Sequence, residues 1–261
     1  MQGRRREDAH RESGRPVCIG ERTGCGAGAS ASADALALWE PPPATRLTGM
    51  IDLEKVTIRS RSVGSMDNNV YVITAKDTGA QVLIDAADDF AAIRELLAEA
   101  AGDAAAPAEV QLIITTHSHW DHVRALAEAA AATGARTAAG SEDIPDIEVP
   151  TDVPLEHGDV RAFNGFELEA IKLRGHTPGS VALLYRDPSG PAHLFTGDSL
   201  FPGGLGNTQK DPERFASLYA DVFERVFEYL PDDTVVHPGH GAGTTLGTER
   251  PHLQEWKQRG W

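Results

Sequence analysis

Three histidines and an aspartate crowd into six residues of the segment VQLIITTHSHWDHV: His117, His119, Asp121 and His122. The apolar run before them, 110–115, reads as a buried strand, so the four polar residues fall where that strand ends. Imidazole nitrogens and carboxylate oxygens suit zinc and other borderline divalent cations, with iron and manganese also acceptable. His117 and His119 can point the same way on an extended loop. Asp121 and His122, expected at the start of the next helix, can turn towards a second metal. Three later segments repeat the layout of a strand followed by a Gly-bounded loop: LRGHTPGS with His176, LFTGDSLF with Asp198 and VVHPGHGAG with His240. Alone, each reads as readily as a turn or a surface histidine. Together the four loops offer five histidines and two aspartates, enough for two metals sharing one carboxylate.

The elements that must carry these loops alternate between strand and helix. Strands are expected at 56–61, 69–74, 81–85, 110–115, 137–139, 167–172, 180–185, 192–196 and 234–237. Helices are expected at 89–101, 121–133, 212–230 and 250–259. The third helix has the clearest signals. Asp211 caps it, Pro212 occupies its first turn, and Phe215, Leu218, Tyr219, Val222, Phe223 and Val226 form an apolar stripe read as core.

Composition narrows the function classes. The 261 residues carry a formal net charge of −15, which argues against a nucleic-acid partner held by a broad basic surface. No apolar run approaches the roughly 20 residues of a membrane-spanning helix, and the arginine-rich start lacks the apolar stretch of a signal peptide. A cytoplasmic protein is the expectation. Residues 1–49, rich in Arg, Gly, Ala, Ser and Pro, read as a disordered leader with a short helical turn near Leu36–Trp39, absent from the native protein if Met50 is the start. Both cysteines, Cys18 and Cys25, lie in this leader, so neither a disulfide framework nor a cysteine nucleophile is expected in the folded domain, 50–261.

The motif set resembles the metallo-β-lactamase superfamily of hydrolases, and within it the glyoxalase II-like (hydroxyacylglutathione hydrolase-like) group, over about residues 54–245. The resemblance implies an α+β fold, a four-layer αβ/βα sandwich with two mixed sheets face to face. It implies His117, His119 and His176 on one metal and Asp121, His122 and His240 on the other, with Asp198 bridging. Two zinc ions are the expected cofactors, with iron or manganese as substitutes. Asp85, ending the strand QVLID, matches an aspartate placed behind the metal loop in this superfamily. FPGGLGN resembles the Gly-rich loop beside the substrate cleft, and Trp120 is placed at the cleft mouth. Thr116 and Thr177 are candidates for hydrogen bonds to ligand groups. Tyr185, His157, His193, His237 and His252 are expected to be packed or solvated.

The chemistry implied is attack of a metal-bound hydroxide on a small acyl substrate, positioned by Asp121 and Asp198. A thiolate, with a pKa of roughly 8.5, leaves without a dedicated general acid, so a thioester is the expected substrate. Only 21 residues follow His240, and Asn207 stands where related enzymes often have a basic residue, so glutathione specificity is not expected. A lactonase shares every ligand, and a persulfide dioxygenase with one iron retains the motif residues. A β-lactamase typically carries Cys or Ser where Asp198 stands, and a nuclease would want a basic groove. A metal-binding domain without turnover is the non-enzyme alternative, disfavoured by the complete ligand set.

Overall fold

A computed structural model describes residues 48–260. The leader's cysteines and its expected helical turn lie outside the described residues. Strands β1 (Thr48–Asp52), β2 (Val56–Val63), β3 (Asn68–Ala75), β4 (Ala80–Ile84), β5 (Glu109–Thr115), β6 (Arg136–Gly140) and β7 (Val153–Leu155) form one sheet in chain order. Pairing is antiparallel from β1 to β4 and parallel from β4 to β7. The second sheet contains β8 (Val160–Phe163), β9 (Phe166–Lys172), β10 (Val181–Tyr185) and β11 (His193–Gly197). A small ribbon of β12 (Leu200–Phe201) and β13 (Gly204–Leu205) follows. The second sheet is completed by β14 (Val235–Pro238), parallel to β11, and β15 (Thr244–Thr245), giving the order β15-β14-β11-β10-β9-β8.

The helices lie outside both sheets. These are α1 (Phe90–Ala101), α2 (Leu126–Thr133), α3 (Pro212–Val222), α4 (Leu246–Glu249) and α5 (Leu253–Arg259). β10 shows why its sequence is apolar throughout. Val181, Leu183 and Tyr185 face the first sheet, while Ala182 and Leu184 pack under α3 and α5 with Leu218, Val222, Leu253 and Trp256. β5 divides likewise, with Leu112 and Ile114 between the sheets and Ile113 under α1 and α2 beside Ile93, Leu96 and Leu126. A strand covered on both faces loses the polar–apolar alternation of a half-exposed one. Three apolar layers between four layers of structure make the expected αβ/βα sandwich.

Several boundaries differ from expectation. β1 begins at Thr48, and Met50 lies inside it opposite Arg59, so two residues assigned to the leader belong to the sheet. The helix expected at 121–133 is a 3₁₀ turn, Trp120–His122, followed by α2 from Leu126. That turn lets Asp121 and His122 face the ligand loops instead of running along a helix axis. The helix expected at 212–230 is α-helical to Val222 and continues as a π-helical turn, Phe223–Phe227. Its cap is as expected, with Asp211 accepting from the amides of Glu213 at 2.8 Å and Arg214 at 3.1 Å. Phe215, Leu218, Val222 and Val226 are buried, whereas Phe223 is exposed. The helix expected at 250–259 divides into a 3₁₀ turn, Arg250–His252, and α5. No helix among the described residues is long and apolar enough to cross a membrane.

Candidate metal centre

The ligand loops meet at one edge of the sandwich. All six segments involved follow strand C-termini: Asp85 after β4, His117–His122 after β5, the 141–143 turn after β6, His176 after β9, Asp198 after β11 and His240 after β14. In open α/β sheets such strand ends are where binding groups gather. All seven residues expected to bind metal converge here.

Their donor atoms fall into three sets, each within 4.8 Å: His117, His119 and His176; His117, His122 and Asp198; Asp121, His122 and His240. Asp198 stands between the outer two. Its Oδ1 is 3.5 Å from His122 Nε2, and its Oδ2 is 3.7 Å from His176 Nε2 and 3.5 Å from His240 Nε2. The neighbouring backbone leaves no space for side chains: a Cβ on Gly239 would overlap Asp198 Oδ1 and crowd His122, and one on Gly206 would overlap the Asp198 carbonyl.

Four imidazoles are held by their outer nitrogen. His122 Nδ1 donates to Asp85 Oδ2 at 2.9 Å, His176 Nδ1 to the Asn207 carbonyl at 2.9 Å, and His240 Nδ1 to the Met66 carbonyl at 2.9 Å. Thr116 Oγ1 donates to Asp85 Oδ2 at 2.8 Å and so is free to accept from His117 Nδ1 at 3.1 Å. Each arrangement fixes the tautomer that turns the Nε2 lone pair inward, the usual support of a metal-binding histidine. Asp85 sits at φ 58°, a left-handed conformation that turns its carboxylate under the next loop, where Oδ1 also accepts from Thr116 N at 2.7 Å. Its expected place behind the metal loop is therefore where the structure has it.

The inward atoms test whether cations fit. His117 Nε2, His176 Nε2 and Asp198 Oδ1 are buried and lack any hydrogen-bond partner. Leaving such atoms unpaired costs roughly 1–3 kcal/mol each. His122 Nε2 and His240 Nε2 lie only 3.2 Å apart. Burial opposes protonation of both, but the carboxylates around them outweigh it: Asp85 and Asp198 push His122 upward, and Asp121 and Asp198 do the same for His240. Burial, reinforced by the neighbouring histidines, instead lowers His117 and His176. Asp198, although buried, is held well below the usual carboxylate range, chiefly by His122. Asp121 is lowered by hydrogen bonds with His240 and Asn68, which overcome its burial. Imidazole nitrogens and ionised carboxylates aimed at common points form a divalent-cation donor set, in which a cation would displace the protons that the carboxylates favour on His122 and His240.

Other residues support the site without having stood out in the sequence. Asn68 Nδ2 donates to Asp121 Oδ2 at 3.0 Å, and Asn69 Nδ2 donates to the carbonyls of Pro238 at 3.0 Å and Gly241 at 2.9 Å. Two asparagines opening the otherwise apolar strand NNVYVITA were the available signal. Asp143, in the turn after β6, contacts two ligand loops, and Arg214 Nε on α3 donates to the Gly175 carbonyl at 2.8 Å while its guanidinium also reaches the His176 carbonyl. Thr177 bonds Asp143 and Ser180 rather than a ligand imidazole. Trp120 is 58% exposed, with Arg124 over its ring, and Met66 is 50% exposed. His157 and His252 are solvated. His193 and His237 stack away from the cluster, with Nδ1 of the first 2.9 Å from Nε2 of the second.

Comparison with known proteins gives a family match and several relatives. The family profile described as "Metallo-beta-lactamase superfamily" matches residues 63–240. The chain is 27% identical over 159 residues to hydroxyacylglutathione hydrolase GloC of Haemophilus influenzae, covering 54% of the chain and 73% of that protein. It is 34% identical over 171 residues to a hydroxyacylglutathione hydrolase of a Polaromonas species, covering 65% and 60%. Human mitochondrial persulfide dioxygenase ETHE1 is 31% identical over 160 residues, covering 55% and 58%. The chain thus spans less than two thirds of the length of the latter two. Among solved structures, the B3 metallo-beta-lactamase BLEG-1 superposes with a TM-score of 0.66 at 23% identity, covering 76% of this chain and 99% of that one. TTHA1623 in a di-iron-bound form gives 0.59 at 32% identity, covering 73% and 96%.

Proposed function

The chain belongs to the metallo-beta-lactamase superfamily, and on that premise we propose that it is a binuclear metal-dependent hydrolase of small thioesters. The observation that carries the reading is the set of Nε2 atoms and carboxylates aimed inward, with the opposite imidazole nitrogens of His117, His122, His176 and His240 occupied. His117, His119 and His176 would hold one divalent cation, Asp121, His122 and His240 the other, with Asp198 shared. Bound there, the cations would lower the pKa of water from about 16 to roughly 7 and polarise an acyl carbonyl. The protein's own part is orientation. Asp198 links both halves, Asp121 is held by Asn68, and Asp85 keeps His122 in the correct tautomer. A thiolate leaving group needs no proton at the moment of cleavage, which favours a thioester over an amide. Relatives named hydroxyacylglutathione hydrolase support the same class.

A persulfide dioxygenase is the second reading, favoured by the match to human ETHE1. Elemental analysis of the purified protein beside thioester, lactone and persulfide panels separates them. Thiol release with about two metals per chain is the expected result. One iron per chain with oxygen consumption on a persulfide would overturn it in favour of the second reading. Lactone turnover without thioester turnover would move the substrate class. A metal-loaded protein inactive on all three panels would overturn the hydrolase reading.

A further inference from the structure

We infer that Asp143 is a positioning residue that sets the separation of the two loops bearing the three-histidine half, and with it that half's grip on its cation. The inference rests on the metal reading of His117, His119 and His176. Asp143 lies in the turn after β6, contributes no atom to the donor sets and is 0% exposed. Its Oδ2 accepts from the Ser118 amide at 2.8 Å, between His117 and His119, and from Thr177 Oγ1 at 2.6 Å, next to His176. Its Oδ1 accepts from the Gly179 amide at 2.6 Å. One carboxylate therefore binds a loop of the first sheet to a loop of the second at the residues adjoining all three histidines.

The backbone around it is built for this close approach. A Cβ on Gly140 would overlap the Gly179 carbonyl, and one on Gly179 would overlap the Asp143 amide. Asp143 N also donates to the Gly140 carbonyl at 3.0 Å, which closes the turn that presents the carboxylate. The His176 loop is held from its other side by Arg214, which bonds the Gly175 and His176 carbonyls. Arg214 thus fixes the loop to α3, and Asp143 fixes it to the opposite histidine pair. Backbone also ties the two segments, Val181 N donating to the Thr116 carbonyl at 2.9 Å, and Asp143 adds the side-chain link that reaches Ser118, between His117 and His119. Losing a partner of this kind typically weakens metal binding about 10- to 100-fold.

The test is zinc affinity, measured on the full chain with a competing chromophoric chelator, in a variant cycle. In a His240→Ala background, where the three-histidine half is the one left complete, Asp143→Ala is expected to weaken the remaining zinc by about 10- to 100-fold. In a His176→Ala background it is expected to change the remaining zinc affinity less than about 3-fold, since the half it serves is already broken. Equal losses in both backgrounds would show a general structural role and overturn the inference, as would unchanged affinity in the first. If Asp143→Ala does not fold, Asp143→Asn and Thr177→Val decide it. With its oxygen kept on the Gly179 amide, Asn presents an NH2 group to Ser118 and Thr177 and accepts from neither, while Val deletes one of the three bonds. Both are expected to weaken the same half selectively, and unchanged or unselective affinity would overturn the inference. A wild-type chain that binds no zinc, iron or manganese would instead reject the metal reading beneath it.

Discussion

The two halves of the cluster are held by different chemistry. In the half of Asp121, His122 and His240, carboxylates lie against the imidazoles: Asp85 behind His122, and Asp121 Oδ2 at 3.3 Å from His240 Nε2. In the half of His117, His119 and His176, the outer nitrogens that are bonded rest on a hydroxyl and a carbonyl. Protons can take the place of a cation in the former, because its carboxylates raise both histidines. In the latter, burial opposes protonation of His117 and His176. One half can stay assembled through its own charges. The other depends on the surrounding scaffold to keep neutral groups together.

Asp198→Ala should have the largest effect, because it removes the ligand common to both halves. Loss of both metals is expected by elemental analysis, with native circular dichroism and a fall in thioester turnover of about 10³-fold, roughly 4 kcal/mol of barrier. Two full equivalents of metal in this variant would contradict the shared-ligand assignment. The next pair separates the halves: His176→Ala and His240→Ala should each lower zinc content to about one per chain, with opposite ions retained. Chelation of the wild type should lower its melting temperature, since ligand at 100 times Kd stabilises by about 2.7 kcal/mol. Asp85→Asn should weaken zinc in the half of His122 by about 10- to 100-fold, read by the same chelator competition.

The smallest effect lies outside the site and serves as its control. Asp103 accepts from Arg59 Nε at 2.6 Å and Nη2 at 2.7 Å, a pair that holds its carboxyl below the ordinary value. A lowered folded pKa contributes stability above the unfolded value, near 4, and loses it as pH falls through the folded one. Asp103→Asn should therefore cost on the order of 1 kcal/mol at pH 7, and the deficit should shrink in melts below pH 4. Metal content should stay unchanged.

The ligand loops were legible because their chemistry is local. The H-x-H-x-D-H run at 117–122 and the Gly-bounded His176, Asp198 and His240 stand out against the apolar strands before them. Central strands such as β5 and β10 were equally readable, since both faces are buried. Edges were not. β7 and β8 are three and four residues long; β7 alternates buried with exposed positions and β8 exposed with half-buried ones, too briefly to show a pattern. The supporting groups escaped for another reason. Asp143 sits in GSED, which reads as an ordinary turn, and its role arises from contacts across 25 and 34 residues of sequence. The Met66 and Asn207 carbonyls carry no side-chain signal at all.

The junction of Asn68 with His240 bears on the order of assembly. These residues, 172 positions apart, share an isolated backbone bridge, and Asn69 N donates to the Gly239 carbonyl at 2.7 Å. The entry to β3 is thereby completed by a loop synthesised 172 residues later. During translation, Asn69 and the side of Asp121 that faces His240 wait with those partners unmade until β14 and the loop after it have emerged. Contacts of such long range close late, because the chain entropy of a large loop must be overcome first. An ion bound across this junction would then act as a latch between the beginning and the end of the domain.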